Sequence, residues 1–538
     1  MLQFGQHIVE SQEGVQQGDP LGPLLFSLAV HPLLLSLASD MAFGYLDDFT
    51  LGGPIEVVAA DVAAIMARGA SLGLSLNRGK CEVVGRAGHA CHHQFADFCQ
   101  LTPESASLLG SPLLAGPAMD DILTAFCEDL ELAIARLKLI SAHDALTLLK
   151  SCLGGTKLQY IMRTSPCYSH HLLPSIDNLL RSAISSTCNI SLNDDQWLQA
   201  SLPVWSGGLG VRGVTQLASS AFLASAAGTL PLQTLILRNG SASNDDITHA
   251  SNHWHSVAGL AISDSPPVGG QRVLDSIVVG HTFETLCNKQ STQYHKARLL
   301  AAAADHSGDW LHAIPISACG LRLSDESVRL ALALRLGVEV CHPFTCICDT
   351  MVDAFGSHTL SCVRGPGRSQ RHHFINDLIA RSLSKAGYPS IKEPHGLIRS
   401  DGKRPDGLTL IPWREGRCAT WDVTVTHTVA ASYLAITSSS AAAAAEAAAR
   451  RKEEKYAEIS RTHLFFPIAF ETLGPINRVG TEFLSTLGHR LSLISDDPRE
   501  SYFLFQRLSI AIQRFNAVCF SSSFGEAQAQ FLDQQGHT

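Results

Sequence analysis

The apolar residues of the first hundred positions alternate between helical and strand-like spacing. Residues 21–37 are apolar on every side, which predicts a buried helix with Asp19 as its N-cap and Pro20 in its first turn. A short apolar hairpin is predicted for residues 43–51, and residues 56–72 have the spacing of an amphipathic helix. This part of the chain is therefore predicted to combine helices with a small sheet.

Beyond residue 105 the pattern is mainly helical. Apolar positions recur at helical spacing through residues 122–140 and 145–161, and helical patterning returns between about residues 270 and 340. The polar stretch Asn239 to His255, rich in serine, asparagine, aspartate and histidine, is predicted to be a linker or an insertion. We therefore expect a helical middle with an interruption near its centre.

The last third of the chain returns to strands. Residues 408–411 and 419–425 are strand-like, and the proline and glycine between them predict a hairpin-like connection. The low-complexity run from Ser438 to Ala449 begins a strongly helical segment, for which its serines are candidate caps. A mixed sheet-and-helix unit is expected here.

Composition and charge narrow the picture. With 538 residues, of which 45% are hydrophobic and 17% charged, the chain is expected to fold into several domains. Its net charge of −9 means that any nucleic acid must be bound by local basic patches. The sequence contains no uninterrupted run of eighteen apolar residues, so no membrane span is predicted. The 15 scattered cysteines, without a secretory signal, favour reduced thiols or metal ligands in an intracellular, nuclear protein.

The adjacent carboxylates Asp47 and Asp48 stand out in the apolar hairpin. Because they repel each other, a fold retains them at such a turn where a cation, Mg²⁺ or Mn²⁺, is expected. Successive side chains of a strand point to opposite faces, so we take Asp47 as the metal ligand and Asp48 as assisting. The alternative is a pair of solvated aspartates in a surface turn.

The sequence motifs on either side of this pair resemble the palm of non-LTR (LINE-type) retrotransposon reverse transcriptases. Gln-Gln-Gly-Asp-Pro-Leu-Gly-Pro precedes it at residues 16–23, and Gly-Leu-Ser-Leu-Asn follows at residues 73–77. The resemblance implies that Gln17 and Gly18 contact template and incoming nucleotide, that Lys80 lies near the departing pyrophosphate, and that RNA and DNA are the partners.

The family's first metal-binding aspartate lies before the Gln-Gly-Asp-Pro loop. Here only 16 residues precede Gln17, and their only acids are Glu10 and Glu13. Two-metal chemistry needs that bridging carboxylate, so we expect an N-terminally truncated palm with little polymerase activity.

A cysteine-histidine cluster follows the helical middle. Cys346, Cys348, His358 and Cys362 offer three sulfurs and one imidazole, a donor set that suits tetrahedral Zn²⁺. Cys341 and His342 are possible substitute ligands, and the alternative is a set of buried cysteines beside an unrelated histidine. The resemblance implies a structural zinc knuckle between polymerase and nuclease.

Arg404-Pro405-Asp406 and, after fifteen intervening residues, Asp422 resemble the Pro-Asp…Asp/Glu-x-Lys core of restriction-enzyme-like nucleases. A hairpin would bring both carboxylates to one metal that activates water against phosphate. Thr424 stands where the lysine is usual. Lys452 and Lys455 on the following helix are candidates to replace it, and we assign Lys455 to the catalytic set. The alternative is an edge-strand charge.

A basic stretch from Arg364 to Arg404 is expected to seat a DNA backbone. The predicted fold class is α+β multidomain: a partial reverse transcriptase palm, a helical thumb and connection, a helical linker region, a small zinc knuckle, a restriction-like α/β endonuclease and a helical tail. Their predicted bounds are residues 1–104, 105–238, 239–340, 341–365, 366–490 and 491–538.

The resemblance implies a fragment of a protein that nicks target DNA and uses the exposed 3′-hydroxyl to prime reverse transcription. Two alternatives remain at this point. One is a metal-dependent DNA endonuclease on an inactive polymerase scaffold, and the other is a non-catalytic, zinc-dependent nucleic-acid-binding protein.

Overall fold

A computed structural model describes residues 2–9, 14–15, 18–85, 92–237, 245–261, 269–397 and 404–524. The strands are β1 (Leu2–Phe4), β2 (His7–Val9), β3 (Met41–Tyr45), β4 (Asp48–Gly52), β5 (Glu82–Val84), β6 (Cys99–Leu101), β7 (Ser107–Leu108), β8 (Ser111–Pro112), β9 (Phe344–Thr345), β10 (Met351–Val352), β11 (Ser390–Lys392), β12 (Gly407–Thr409), β13 (Ala419–Thr426) and β14 (Leu464–Glu471).

The helices outnumber the strands and dominate the middle of the chain. They are α1 (Gly22–Leu35), α2 (Ile55–Ser71), α3 (Pro117–Leu137), α4 (Ala142–Leu148), α5 (Gly155–Thr164), α6 (Leu173–Cys188), α7 (Asp194–Ala200), α8 (Val214–Ile236), α9 (Asp245–Ala258), α10 (Gln271–Lys289), α11 (Gln293–Ala302), α12 (Asp325–Leu336), α13 (Gly367–Lys385), α14 (Leu434–Thr437), α15 (Ala443–Lys455), α16 (Arg478–Ser495) and α17 (Glu500–Ser521). This mixture of helices with small sheets is the α+β class that the sequence predicts.

The predicted hairpin and the amphipathic helix after it are both present. Strands β3 and β4 pair antiparallel, with Tyr45 opposite Asp48, and α2 begins one residue before its predicted start. Helix α1 packs on β3 and α2. The first part of the chain is therefore a helix pair laid beside a short two-stranded ribbon.

The prediction of a buried first helix is wrong. Leu24, Leu28 and Leu35 of α1 are 57%, 59% and 64% exposed, because β3 and α2 cover only the side that carries Val30 and Leu33. The helix also begins later than predicted, since its N-cap is Leu21 rather than Asp19. Asp19 still serves the turn before the helix, where its Oδ1 accepts a hydrogen bond from the Leu21 amide at 2.9 Å.

The helical middle shares one hydrophobic core that begins at Met119 and also includes Leu360, Ile510 and Cys519 from later in the chain. The prediction of a linker over residues 239–255 is wrong for its described part, because α9 occupies it and Trp254 is fully buried there. Polar residues on one side of α9 hid an apolar face that packs on α8. The predicted boundary at residue 238 thus lies within a region whose helices on either side share a core.

The last third of the chain is built around a four-stranded mixed sheet in the order β11-β12-β13-β14. The first three strands are antiparallel neighbours, as the predicted hairpin-like connection requires, and β14 is parallel to β13. Helices α13, α16 and α17 share a core with the sheet around Trp421 and Phe470. The predicted boundary at residue 490 falls inside α16, and α17 completes this core.

Helix α15 begins without the serine cap that the sequence predicts. Its N-cap is Ala442, whose φ is +60°. The buried Glu471 of β14 caps the helix instead, since its Oε1 accepts hydrogen bonds from the amides of Ala444 at 3.0 Å and Ala445 at 3.1 Å. The serines lie earlier, where Ser438 ends α14. Within the described ranges, no helix has the length and apolarity that crossing a bilayer requires.

Candidate functional site

The hairpin turn holds Asp47 and Asp48 at the surface. Leu46 opens the turn with a φ of +57°, Asp47 follows it, and Asp48 begins β4. Both aspartates are exposed. Gly44 lets the ribbon approach α1 closely, because a Cβ there would lie 2.9 Å from Leu34 Cδ1. The turn is therefore held against the helix, while its carboxylates face solvent.

The other predicted palm residues are either exposed or outside the described part of the chain. Gln17, Glu10 and Glu13 lie outside the described residues. Gly18 is exposed with a φ of +97°, and Lys80 is exposed after α2. In the described part of the chain, no further carboxylate, imidazole or thiol joins Asp47 and Asp48 to form a three-donor group. These two aspartates alone do not supply the ligands of a two-metal centre.

The predicted cysteine-histidine residues meet in one cluster. The donor atoms of Cys346, Cys348, His358 and Cys362 all lie within 4.8 Å of one another. The two sulfurs of Cys346 and Cys362 are 3.5 Å apart, and Cys348 Sγ is 3.1 Å from His358 Nε2. Four donors at these separations can converge on one tetrahedral ion.

The environment of the cluster shifts the pKa values of two of its thiols in opposite directions. Hydrogen bonding to Thr350 lowers the pKa of Cys348 to about 6, whereas burial raises the pKa of Cys346 to about 11. Cys341, predicted as a substitute ligand, instead points its sulfur at the carbonyl of Asp353, 3.4 Å away. The four predicted ligands therefore stand apart from the neighbouring cysteine.

A second group of possible donors, Asp120, His170 and His171, is better explained by hydrogen bonding. His170 Nε2 lies 2.9 Å from Asp120 Oδ1, and its Nδ1 accepts a hydrogen bond from the Leu172 amide at 3.2 Å. A neutral ring whose Nδ1 accepts must carry its proton on Nε2. That proton is donated to Asp120, so Nε2 has no lone pair for a metal.

Asp406 and Asp422 come together through strand register. Gly407 pairs with Trp421 across β12 and β13, which places the preceding Asp406 beside Asp422. Asp406 Oδ2 accepts a hydrogen bond from the Val423 amide at 2.6 Å. The Asp406 charge helps to raise the pKa of Asp422, as expected for neighbouring carboxylates.

Helix α13 holds Asp406 from the other side. His372 Nε2 lies 2.9 Å from the same Oδ2, and Asn376, one turn later, donates from Nδ2 to the Asp406 carbonyl at 3.2 Å. Asn376 Oδ1 in turn accepts from Trp421 Nε1 at 2.8 Å. Hydrogen bonding to Asp406 raises the pKa of His372. Asp406 Oδ2 thus has two hydrogen-bonding partners, and in the described part of the chain Oδ1 remains available.

Asp422 is the more deeply buried acid, with a side chain that is 4% exposed. Burial first, then the Asp406 charge, raises its pKa, and Lys452 opposes them. Lys452 Nζ lies 2.6 Å from Asp422 Oδ1 and 3.2 Å from Oδ2. Lys455, assigned to the catalytic set from sequence, instead contacts the hydroxyl of Tyr456 at 2.8 Å. Of the two candidate lysines, Lys452 is therefore the one in contact with the carboxylate.

The basic stretch from Arg364 to Arg404 is not one continuous surface. Arg371 is 1% exposed and donates to Asn516 Oδ1 at 2.7 Å, so the prediction that it contacts DNA is wrong. Arg364 pairs with Asp349 at 3.1 Å. Arg404 is exposed two residues before Asp406, and its Nη1 lies 3.5 Å from His395 Nε2.

Comparison with known proteins agrees with the first motifs. Residues 2–113 match the family described as reverse transcriptase (RNA-dependent DNA polymerase). Residues 2–113 are therefore similar to reverse transcriptases. The chain is also 24% identical over 433 residues to the "Retrotransposable element SLACS 132 kDa protein" of Trypanosoma brucei gambiense.

That match covers 78% of this chain and 32% of the relative, so the chain spans about a third of the length of that protein. The predicted relationship is confirmed at this level. The endonuclease, the magnesium sites and the zinc site stay predictions, and the sequence signals that found their residues missed His372 and Asn376. A histidine and an asparagine four residues apart on the helix before the sheet are the signal that was available.

Proposed function

We propose that this reverse transcriptase relative carries, in its last third, a metal-dependent nuclease that nicks DNA. The observation that carries the proposal is the meeting of Asp406, Asp422 and Lys452. Two carboxylates from neighbouring strands and one ammonium group from the following helix are what hydrolysis of a phosphodiester requires. The intact protein would then use the nicked end to prime DNA synthesis on RNA, inside the nucleus.

The donor set fits a hard divalent cation. Asp406 has one oxygen engaged by the Val423 amide and His372, and its Oδ1 is available. Asp422 offers carboxylate oxygens beside it, and carboxylates are the ligands that Mg²⁺ and Mn²⁺ prefer. Asp406 Oδ1 and Asp422 would hold the ion, which would supply a Lewis acid and an activated water.

The chain's own residues contribute orientation and charge. His372, Asn376 and the Val423 amide fix the Asp406 carboxylate, so its free oxygen keeps one direction. Lys452 places an ammonium group beside Asp422, from which it can donate to a non-bridging phosphate oxygen. Exposed Arg404 lies close enough in sequence to meet a neighbouring phosphate of the same strand.

A supercoiled plasmid tests the proposal directly. The full chain is expected to convert it to the open circle when Mg²⁺ is present, and Asp406→Asn and Asp422→Asn should each abolish this conversion. Asp497→Asn, which removes an exposed carboxylate in a loop of the same region, serves as the matched control. Nicking that survives both substitutions would show that Asp406 and Asp422 do not form a nuclease site.

For the first part of the chain, we propose a palm that binds nucleic acid with little polymerization of its own. The motifs support binding of template and nucleotide through Gly18 and Lys80, whereas Asp47 and Asp48 have no third donor in the described ranges. Primer extension on an RNA template measures this. Vigorous synthesis by the full chain would contradict it.

A second candidate function is zinc-dependent nucleic-acid binding without catalysis. The convergence of Cys346, Cys348, His358 and Cys362 favours it, because a closed set of four protein ligands stabilises structure rather than reacting. Binding of a DNA duplex that needs zinc, in a chain that never nicks, is the result that would select this function over the nuclease.

A further inference from the structure

A surface cleft lies between three helices of the last third of the chain, away from the candidate nuclease site. It has a volume of about 130 Å³ and lies between the end of α13, the end of α16 and the first turns of α17. Arg381, Lys385 and Arg507 contribute cationic side chains to its wall, and Glu500 contributes the only carboxylate among its lining residues. The cleft therefore concentrates positive charge in a chain whose net charge is negative.

The two acids near the cleft do not balance its cations. Glu500 forms an ion pair with Lys385. Asp377 forms an ion pair with Arg381, but it also binds Lys392 Nζ at 3.0 Å. One carboxylate is thus divided between two cations, and among the described residues none forms a salt bridge with Arg507, which feels Glu500 only at longer range.

Arg507 is the unusual member of the group. Its side chain is half-buried on α17, and its guanidinium has no hydrogen-bond acceptor within the ranges that the structure describes. Burial and the neighbouring positive charge of Arg381 both lower its pKa. Two guanidinium groups held beside each other in a cleft favour an anion between them, since each guanidinium offers a planar fork of donors.

We propose that this cleft is a binding site for a phosphate group. Its volume is several times the roughly 10–15 Å³ that one water molecule needs by the same measure, so a tetrahedral anion fits. Arg381 follows His372 by nine residues on α13, which is about 13 Å along the helix axis and half a turn around it. The site is therefore separate from the candidate nuclease centre, and its occupant is either a backbone phosphate of nucleic acid or a free phosphate-type ion.

Thermal unfolding of the full chain with inorganic phosphate tests the site itself. At equal ionic strength, phosphate should raise the Tm of the natural chain above its value in chloride, and Arg507→Gln should remove that rise. In chloride the variant should unfold no earlier than the natural chain, because the substitution removes a half-buried charge that faces Arg381. Arg507→Lys, which keeps the charge and loses the fork, should retain part of the rise.

Arg478→Gln is the matched control, because Arg478 is 82% exposed at the start of α16 and lies away from the cleft. A phosphate-dependent rise that is equal in the natural chain and in Arg507→Gln overturns the proposal. So does the lack of any rise when DNA binding is also unchanged by the substitution.

Binding of a labelled DNA duplex without divalent metal identifies the source of the phosphate. If the occupant is a backbone phosphate, Arg507→Gln should weaken binding and reduce the slope of log K against log salt by about one. If the phosphate rise is lost while duplex affinity is unchanged, the occupant is a free phosphate-type ion. Neither measurement depends on nicking, so the phosphate-site proposal and the nuclease proposal can be refuted independently.

Discussion

The chain contains two pairs of aspartates that are brought together in different ways. Asp47 and Asp48 are neighbours in the sequence, and both stand exposed on a hairpin turn. Asp406 and Asp422 are separated by fifteen residues and become neighbours only when β12 and β13 pair. In the second pair Asp422 is buried and the Asp406 side chain is 14% exposed, and the two are held by an amide, a histidine and a lysine.

This difference shows that two carboxylates can be adjacent in sequence without being fixed in position by surrounding groups. An exposed pair keeps its hydration and needs no partner, whereas a buried pair is tolerated only when hydrogen bonds and opposite charge compensate for lost water. The organised pair is thus the better candidate for a working centre. The exposed pair depends on ligands from elsewhere.

The sharpest way to break the comparison is to neutralise one acid of each pair. Asp422→Asn should reduce nicking of plasmid DNA by roughly a thousandfold, the scale of losing a key charge in a preorganised site. Asp47→Asn should leave nicking unchanged. Initial rates of open-circle formation with Mg²⁺ measure both, and equal losses in the two variants would show that the pairs act as one site.

A second test asks whether the organised region depends on the cysteine-histidine cluster beside it. The Ile347 amide donates to the Ser523 carbonyl at 3.1 Å, and Arg371 donates to the Leu360 carbonyl at 3.1 Å. We therefore expect Cys362→Ser to lose bound zinc and to lower the free energy of unfolding by roughly 2–5 kcal/mol.

Cys341→Ser provides the matched control, because Cys341 lies next to the cluster without joining it. It should retain one zinc per chain by elemental analysis and unfold like the natural chain. Zinc retained after Cys362→Ser would mean that the four side chains are not the ligands.

A third test separates the two lysines of α15. Lys452→Gln should slow nicking by roughly a hundredfold, within the range of losing a positioned acid or base, whereas Lys455→Gln should cost only a few-fold. Lys452 lowers the pKa of Asp422, so its removal should raise that pKa. The acidic limb of the pH–rate profile should then move to higher pH in Lys452→Gln, and an unmoved limb would deny the contact a role in the reaction.

The smallest effect concerns acid stability in the two main cores. Burial lowers the pKa of His143 to about 4 in the helical middle, and burial lowers that of His427 to about 3 beside the sheet. Below pH 6.5 the unfolded chain takes up protons that the folded chain refuses. The free energy of unfolding should therefore fall with decreasing pH, by at most about 1.4 kcal/mol per pH unit for each histidine.

Replacing His143 with glutamine keeps an acceptor for the Leu323 amide and removes the proton uptake. Urea unfolding between pH 5 and pH 7 should then show a shallower pH dependence for the helical middle. The same substitution at His427 should act on the sheet region instead, and a change confined to the wrong region would contradict the assignment.

Local patterns predicted several features well. The hairpin at Asp47, the helix after it, the β12–β13 connection and the cysteine-histidine cluster follow from spacing that neighbouring residues impose. The environment of α1 did not follow, because an all-apolar helix implies burial only when other elements are present to cover it. Helix α9 was not predicted from the sequence, because polar residues dominate its composition.

Long-range contacts explain what the sequence could not provide for the candidate site. Lys452 and Lys455 are three residues apart on one helix, so their spacing does not decide which of them reaches Asp422. His372 and Asn376 hold Asp406 from a helix that lies 34 and 30 positions away in sequence. Only the packing of α13 on the sheet makes these residues part of the site.

The cap that Glu471 gives to α15 links the order of synthesis to the assembly of the candidate nuclease centre. Lys452 is fixed only once the alanine-rich helix is anchored, and its anchor is the final residue of the last strand, nearly twenty positions further on. A ribosome-bound chain that has emerged only as far as residue 460 contains both aspartates and Lys452 but lacks the Glu471 cap, so α15 is not yet anchored. The proposed cutting activity would therefore appear only after Glu471 has emerged.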